Sequence, residues 1–312
     1  MTKTDTMLIV VDPTAENHPA IERGMILARR CGFRAELFIC GYRPQLFGAQ
    51  IAEPGGRDAT KHDYLNEQRR ILESLAEPFA ADGIDVTVKT AWDHPLYEGI
   101  IREALRSDPR LVVTDTHYQS RLRRTLFTNT DWHLIRSCPA PLWLARSGPA
   151  FDAPVMLASV DPMHEHDKPA ALDTRLLAEA FEFAGALGGT VHAFHAYNPF
   201  RVPDDPKHIE SAHEAAVQNL ADSFQIPDER VHIYAGSAID LLPQLATEIS
   251  ADLVVMGAVS RSRLEYAIVG STAENVLDQL PCDALIVKPK GFISPVTFKS
   301  APSGVVYADA MG

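Results

Sequence analysis

The chain is written twice. Displaced by 142 positions, Leu111 to Arg146 lies on Leu253 to Lys288 without a gap. The overlay matches Leu-Val-Val at 111–113 and 253–255, Ser-Arg-Leu at 120–122 and 262–264, Thr130 with Thr272, and Pro139 with Pro281. The starts of the halves correspond too, Val11-Asp12-Pro13 with Val160-Asp161-Pro162. A chain of 312 residues is long enough for two units of ordinary domain size, each with its own core, and a repeat of this length makes the two units relatives. Ser147 to Pro154, with Gly148, Pro149 and Pro154, reads as the linker. The expected units are 1–148 and 153–290, followed by a tail, 291–312, that is loosely held or lies across a neighbouring surface.

Both halves alternate short β-branched runs with longer amphipathic segments, the pattern of β-α units around a parallel sheet. The runs predict strands near 7–11, 35–40, 84–90, 111–114 and 141–145, with helices near 17–31, 61–82, 96–106 and 129–137. The second half predicts strands near 154–160, 190–196, 230–235, 252–256 and 283–288, with helices near 170–187, 208–225, 238–250 and 271–280. Cys31-Gly32 and Leu187-Gly188-Gly189 end their helices with residues suited to a left-handed cap. The expected fold is therefore α/β: two tandem five-stranded parallel-sheet domains, each a Rossmann-like open sheet with helices on both faces.

Composition narrows the classes of function. Apolar residues are 46% and charged residues 22%, ordinary for a soluble globular chain, and no stretch is apolar enough to span a bilayer. The N-terminal apolar run, Met7 to Val11, stops at Asp12 and lacks the flanks of a secretory signal, so a cytoplasmic protein is expected. A net charge of −12 opposes attraction to phosphate backbones, and direct nucleic-acid binding is not expected. Cys31, Cys40, Cys138 and Cys282 show no paired spacing and read as free thiols.

The halves differ where open α/β sheets bind ligands, at the carboxyl ends of the strands where their order reverses. The second half reads Gly257-Ala-Val-Ser260, nine residues, then Gly270-Ser271-Thr272; the first reads Asp115-Thr-His-Tyr118, nine residues, then Thr128-Asn129-Thr130. Gly257 ends a buried run and lets backbone approach a ligand closely. Gly270-Ser271-Thr272 opens a helix whose free amides favour an anion, with two hydroxyls as further donors and Arg261 and Arg263 as cations in the loop between. Asp161 is placed to accept from a ribose hydroxyl or a base amino group, and the backbone of Ala196 to pair with an adenine edge. Each feature alone has a plain reading as well: a turn, a helix cap, solvated arginines, and an aspartate that recurs as Asp12.

In combination they resemble the universal stress protein family, whose nucleotide-binding members carry Gly-x2-Gly-x9-Gly-Ser/Thr after the fourth strand and an aspartate after the first. Here the pattern is Gly257-x2-Ser260-x9-Gly270-Ser271, continuing Thr272-Ala273-Glu274-Asn275-Val276. Leu126-Phe127-Thr128-Asn129-Thr130-Asp131-Trp132-His133-Leu134, then Cys138-Pro139-Ala140-Pro141, is similar to the first half of the family's tandem members. The resemblance covers roughly residues 5–290. It implies that the fifth strands of the two halves can pair as an intramolecular pseudo-dimer, that the chain can form a further homodimer, and that ATP, with Mg²⁺, is held in the C-terminal half only. Ser260 departs from the motif's second glycine, so its Cβ strains or displaces the phosphates if that position needs positive φ.

Other constellations carry less. His192 and His195 stand three apart in one strand and face opposite sides, and His164-Glu165-His166 falls in a polar loop, so no metal is assigned. No G-x-S-x-G elbow, Walker lysine loop or HExxH is present. The expectation is a non-catalytic, nucleotide-binding stress-response protein. Its rivals are a carrier or sensor of an apolar metabolite and a slow ATPase or phosphotransferase.

Overall fold

The computed structural model describes residues 4–44, 56–119, 124–148, 151–163, 171–199, 206–258 and 275–298. The first half runs β1 (Thr4–Val10), α1 (Pro19–Cys31), β2 (Arg34–Gly41), α2 (Gly56–Ala81), β3 (Val86–Trp92), α3 (Leu96–Ser107), β4 (Pro109–Asp115), a hairpin of β5 (His117–Gln119) and β6 (Arg124–Leu126), α4 (Asn129–Ser137) and β7 (Leu142–Ala145). The second half runs β8 (Val155–Ser159), α5 (Ala171–Leu187), β9 (Thr190–Tyr197), α6 (Pro206–Ser223), β10 (Val231–Ala235), α7 (Ala238–Glu248), β11 (Leu253–Gly257) and β12 (Asp283–Val287). Ten strands make one sheet in the order β10-β9-β8-β11-β12-β7-β4-β1-β2-β3, so each half places its own strands 3-2-1-4-5 and is parallel throughout. Strand order reverses between β1 and β4 in one half and between β8 and β11 in the other.

Alternation along β1 explains the two apolar layers. Met7, Ile9 and Val11 face one side, packed with α1, α2 and α5; Leu8 and Val10 face the other, packed with α3, α4 and α7. Gly32 and Gly188, both at φ +73°, end α1 and α5 in the left-handed conformation that lets the chain turn straight into β2 and β9.

The halves join through β7 and β12, which pair antiparallel with Leu285 opposite Trp143. Asp283, 2% exposed, anchors the seam. Its carboxylate accepts from Trp143 Nε1 at 2.8 Å, Arg23 Nε at 2.9 Å and the Arg146 amide at 2.9 Å. The repeat-equivalent residues Arg146 and Lys288 cross over reciprocally. Arg146 donates to the Leu280 carbonyl of the second half, and Lys288 Nζ donates to the carbonyls of Ile135 and Arg136 at the end of α4 in the first. These last carbonyls of α4 have no intrahelical partner, and a cation there also meets the negative end of the helix dipole. Beyond β12 the tail returns to the first half, where Arg102 of α3 donates to the Thr297 carbonyl at 3.3 Å.

Candidate functional site

The cleft best defined in side-chain detail lies in the first half, at the reversal between β1 and β4. A cavity of about 220 Å³ opens there between the strand ends, α3 and α4. Val10, Cys40, Leu96, Ile100 and Leu134 form its apolar wall, and Asp12, Asp115 and Asp131 bring carboxylates to it. The described lining contains no lysine or arginine. Exposed Thr128 and half-buried Asp12 mark where the cavity meets solvent.

Each carboxylate has a local task that fixes its position. Asp12 Oδ1 accepts from the Thr14 amide at 2.9 Å and the Thr14 hydroxyl at 2.6 Å, holding the turn that leaves β1. Asp115, the last residue of β4, accepts from the Ala20 amide at 2.6 Å in the first turn of α1. Asp131 completes a capping box with Thr128: the Thr128 hydroxyl accepts from the Asp131 amide at 3.2 Å, and Asp131 Oδ2 accepts from the Thr128 amide at 2.7 Å. The positive end of α4 is thereby matched by the helix's own carboxylate. His18 Nδ1 stands 3.8 Å from Asp115 Oδ2. Burial lowers the His18 pKa, with Asp12 pulling the other way, so the ring is mainly neutral at pH 7 and does not cancel the aspartates. Burial also pushes the Cys40 thiol up, making it part of the wall rather than a nucleophile.

All the residues singled out from sequence belong to the second half. Asp161 follows β8 and is buried at 7% exposure, its amide donating to Asp173 Oδ1 of α5 at 3.1 Å. Ala196 lies in β9 beside Tyr234 of β10. Gly257 is still within β11, opposite Val287, and is absent from the glycines with positive φ. Its bare Cα has a packing reason: a Cβ there would stand 2.7 Å from Leu172 Cδ2 of α5. The close approach of α5 thus gives this glycine a packing role within the strand. Ser260, Arg261, Arg263, Gly270, Ser271 and Thr272 lie outside the described residues.

The first-half cavity is the counterpart of that predicted site. Asp12, Asp115, Thr128 and Thr130 line it, and they align with Asp161, Gly257, Gly270 and Thr272. It carries none of the glycines that mark the second half, since Asp115 and Thr128 stand where Gly257 and Gly270 align. The signal that finds it is Thr128-x-x-Asp131, a helix start directly after the loop that follows the fourth long strand of its half. The strand histidines also find partners on opposite faces. His192 Nδ1 is 3.0 Å from His232 Nε2, and His195 Nε2 is 2.8 Å from His213 Nδ1. His195 Nδ1 lies 3.0 Å from the Val160 carbonyl; that contact requires Nδ1–H, which leaves Nε2 to accept from His213 when His195 is neutral.

The profile of the universal stress protein family matches residues 3–146 and 166–288. The chain belongs to the universal stress protein family. It is a tandem member of it, with one match in each half. The chain is similar to universal stress protein E of Escherichia coli K12, 30% identical over 308 residues that cover 95% of this chain and 98% of that one. It is 28% identical to universal stress protein E of Photorhabdus laumondii over 309 residues, with the same coverage. A functionally unknown protein of Pseudomonas aeruginosa PAO1 superimposes with a TM-score of 0.74 at 25% identity, covering 92% of this chain and 93% of that one. The first universal stress protein match contains β1 to β4 and β7, whereas the second begins beyond β8; β8 nevertheless holds the same place in its half of the sheet as β1. Among the described residues no helix is long and apolar enough to cross a membrane.

Proposed function

We propose that this tandem universal stress protein is a non-catalytic, cytoplasmic binding protein of the stress response, with an adenine nucleotide held in the second-half cleft and none in the first. The observation that carries this reading is the exchange of charge between aligned positions. In the first half Asp131 occupies the start of α4 and Asp115 stands at the end of β4; the aligned residues of the second half are Ala273 and Gly257. A phosphate entering the first cleft meets three carboxylates and a helix end already matched by Asp131. The cavity is also below the ~300–1,000 Å³ of pockets that take drug-sized ligands, the size class of a nucleotide. In the second half Arg261 and Arg263 and the hydroxyls of Ser271 and Thr272 supply the donors phosphates need. Mg²⁺ would arrive with ATP, since it binds through substrate phosphates and one or two carboxylates rather than a cage made by the protein alone.

Calorimetry of ATP with the full chain and with Gly270→Asp tests the reading. The expected result is a single site that the variant abolishes while its unfolding temperature is unchanged. Equal affinity in the variant rejects the assignment. Sustained phosphate release lost in Asp161→Ala would instead make the protein a slow ATPase. The apolar wall of the first-half cavity favours a second, additional role: a site for a small molecule that is not a nucleotide.

A further inference from the structure

We infer that the His192–His232 pair is a proton-operated latch on the outer edge of the second half, holding β10 to β9 while the pair carries at most one extra proton and releasing the strand when both rings are charged. The fold sets the place. β10 is the outermost strand at one end of the ten-stranded sheet, none of its five residues is buried, and among the described strands it pairs only with β9. His192 and His232 stand two residues from Phe194 and Tyr234, which puts them on the face packed with Leu242 and Leu245 of α7. Both rings are half-buried, with His192 Nδ1 and His232 Nε2 3.0 Å apart and the ring planes within 8° of parallel. Among the described residues no third histidine, cysteine, aspartate or glutamate joins them in a group able to hold a metal ion, so a proton is the ligand this geometry fits.

The duplication shows what this position does in the other half. His192 lies opposite Leu157 of β8 as Glu36 lies opposite Leu8 of β1, and His232 lies opposite Phe194 as Lys89 lies opposite Phe38. In the first half the same two strands are therefore tied by an ion pair, Lys89 with Glu36, completed by Glu103 and Arg106 of α3. In the second half the tie is a single bond between imidazoles, one donating and one accepting. The donor ring can take a proton on its other nitrogen and still donate. A second proton must occupy the accepting nitrogen, which removes the acceptor and sets two like charges against each other. The charged groups facing the pair are Arg230, where the chain enters β10, which opposes a cation on His192, and exposed Glu248 at the end of α7, which favours one on His232; β8 presents only Leu157. Burial outweighs both and lowers each ring below the ordinary 6.5. The folded pair thus binds fewer protons than the unfolded chain, so its hold on β10 is complete above 6.5 and is lost as pH falls. Glu36 responds in the opposite sense, because burial raises a carboxyl, so acid loosens one edge of the sheet and not the other.

This inference is independent of nucleotide binding, and its test uses the full chain without added ligand. Hydrogen exchange is read by mass spectrometry at about pH 7.5 and about pH 5.5, which span the change of charge of histidine, and is corrected for the intrinsic exchange rate. Protection of β10 should fall at least about tenfold on acidification, the factor that one pKa unit in a single group carries, while β3 at the opposite edge keeps its protection. His192→Gln and His232→Gln each leave an amide that can donate to a neutral ring or accept from a charged one. Both variants should keep β10 protected at both pH values. Should either variant unfold, the imidazole NMR signals of the wild type decide: the pair should titrate in two coupled steps, both below the ordinary 6.5. Protection of β10 indifferent to pH, an acid response that survives in both variants or spreads equally to β3, or two rings titrating independently at the ordinary value would overturn the inference.

Discussion

Asp283 shows how much of the molecule's integrity rests on single buried polar groups. It is 2% exposed, and three donors from two separate parts of the first half converge on it. Burial raises its pKa, and the Arg23 guanidinium beside it pulls the other way. Removing one partner of such a pair leaves the other charge buried and uncompensated, a cost of about 3–5 kcal/mol. Asp283→Ala should therefore lose about that much stability in urea unfolding; a loss below about 1 kcal/mol would show that the Arg23 guanidinium reaches water instead. Nothing in the sequence near position 283 announces this role. Arg23 lies 260 residues away, and Pro141, its repeat counterpart, carries no charge. The repeat reveals what the halves share, whereas the seam between them depends on residues that they do not share. Asp161 and Gly257 illustrate the same limit at the site. Their places at strand ends follow from the hydrophobic runs, but the bond from Asp161 to Asp173 and the contact of Gly257 with Leu172 depend on how α5 lies on the sheet.

At the scale of elements, periodicity is a strong guide because these strands are buried on both faces and end abruptly. Leu111-Val112-Val113 and Leu253-Val254-Val255 are wholly buried, and both sit in central strands as their β-branched runs require. The short hairpin of β5 and β6 was not readable, since three-residue strands are too brief to establish an alternation. Helix α3 shows a coupling that only the assembled fold creates. Glu36 of β2 and Glu103 of α3, 5% and 0% exposed, share Lys89 of β3, whose ammonium is 2.5 Å from Glu36 Oε2 and 3.2 Å from Glu103 Oε1. Burial, reinforced by the neighbouring Glu103, pushes the Glu36 carboxyl up to about 7 from an ordinary 4.5. The folded protein thus keeps a proton that the unfolded chain has released, so the associated stability is complete below about 4.5 and is lost as pH rises through about 7. Glu36→Gln mimics the protonated form. Relative to wild type it should gain on the order of 1–3 kcal/mol between pH 5 and pH 8, measured by denaturant unfolding at each pH; a constant difference across that range would show that Glu36 is ionised throughout.

For the whole molecule, duplication has produced one continuous sheet with two unlike clefts. The antiparallel β7–β12 seam, the crossed contacts of Arg146 and Lys288, and the tail returning to Arg102 bind the halves into one body. The shared strand order gives each half a crevice in the same place, and the residues that fill it decide its chemistry. Carboxylates and an apolar wall occupy the first; for the second, the sequence offers glycines, hydroxyls and arginines in the corresponding stretch. On the proposed function, only the second crevice takes a nucleotide. Native mass spectrometry of the full-length chain titrated with ATP measures that stoichiometry directly. One nucleotide per chain at saturation is the predicted result, and two per chain, or none, would contradict it.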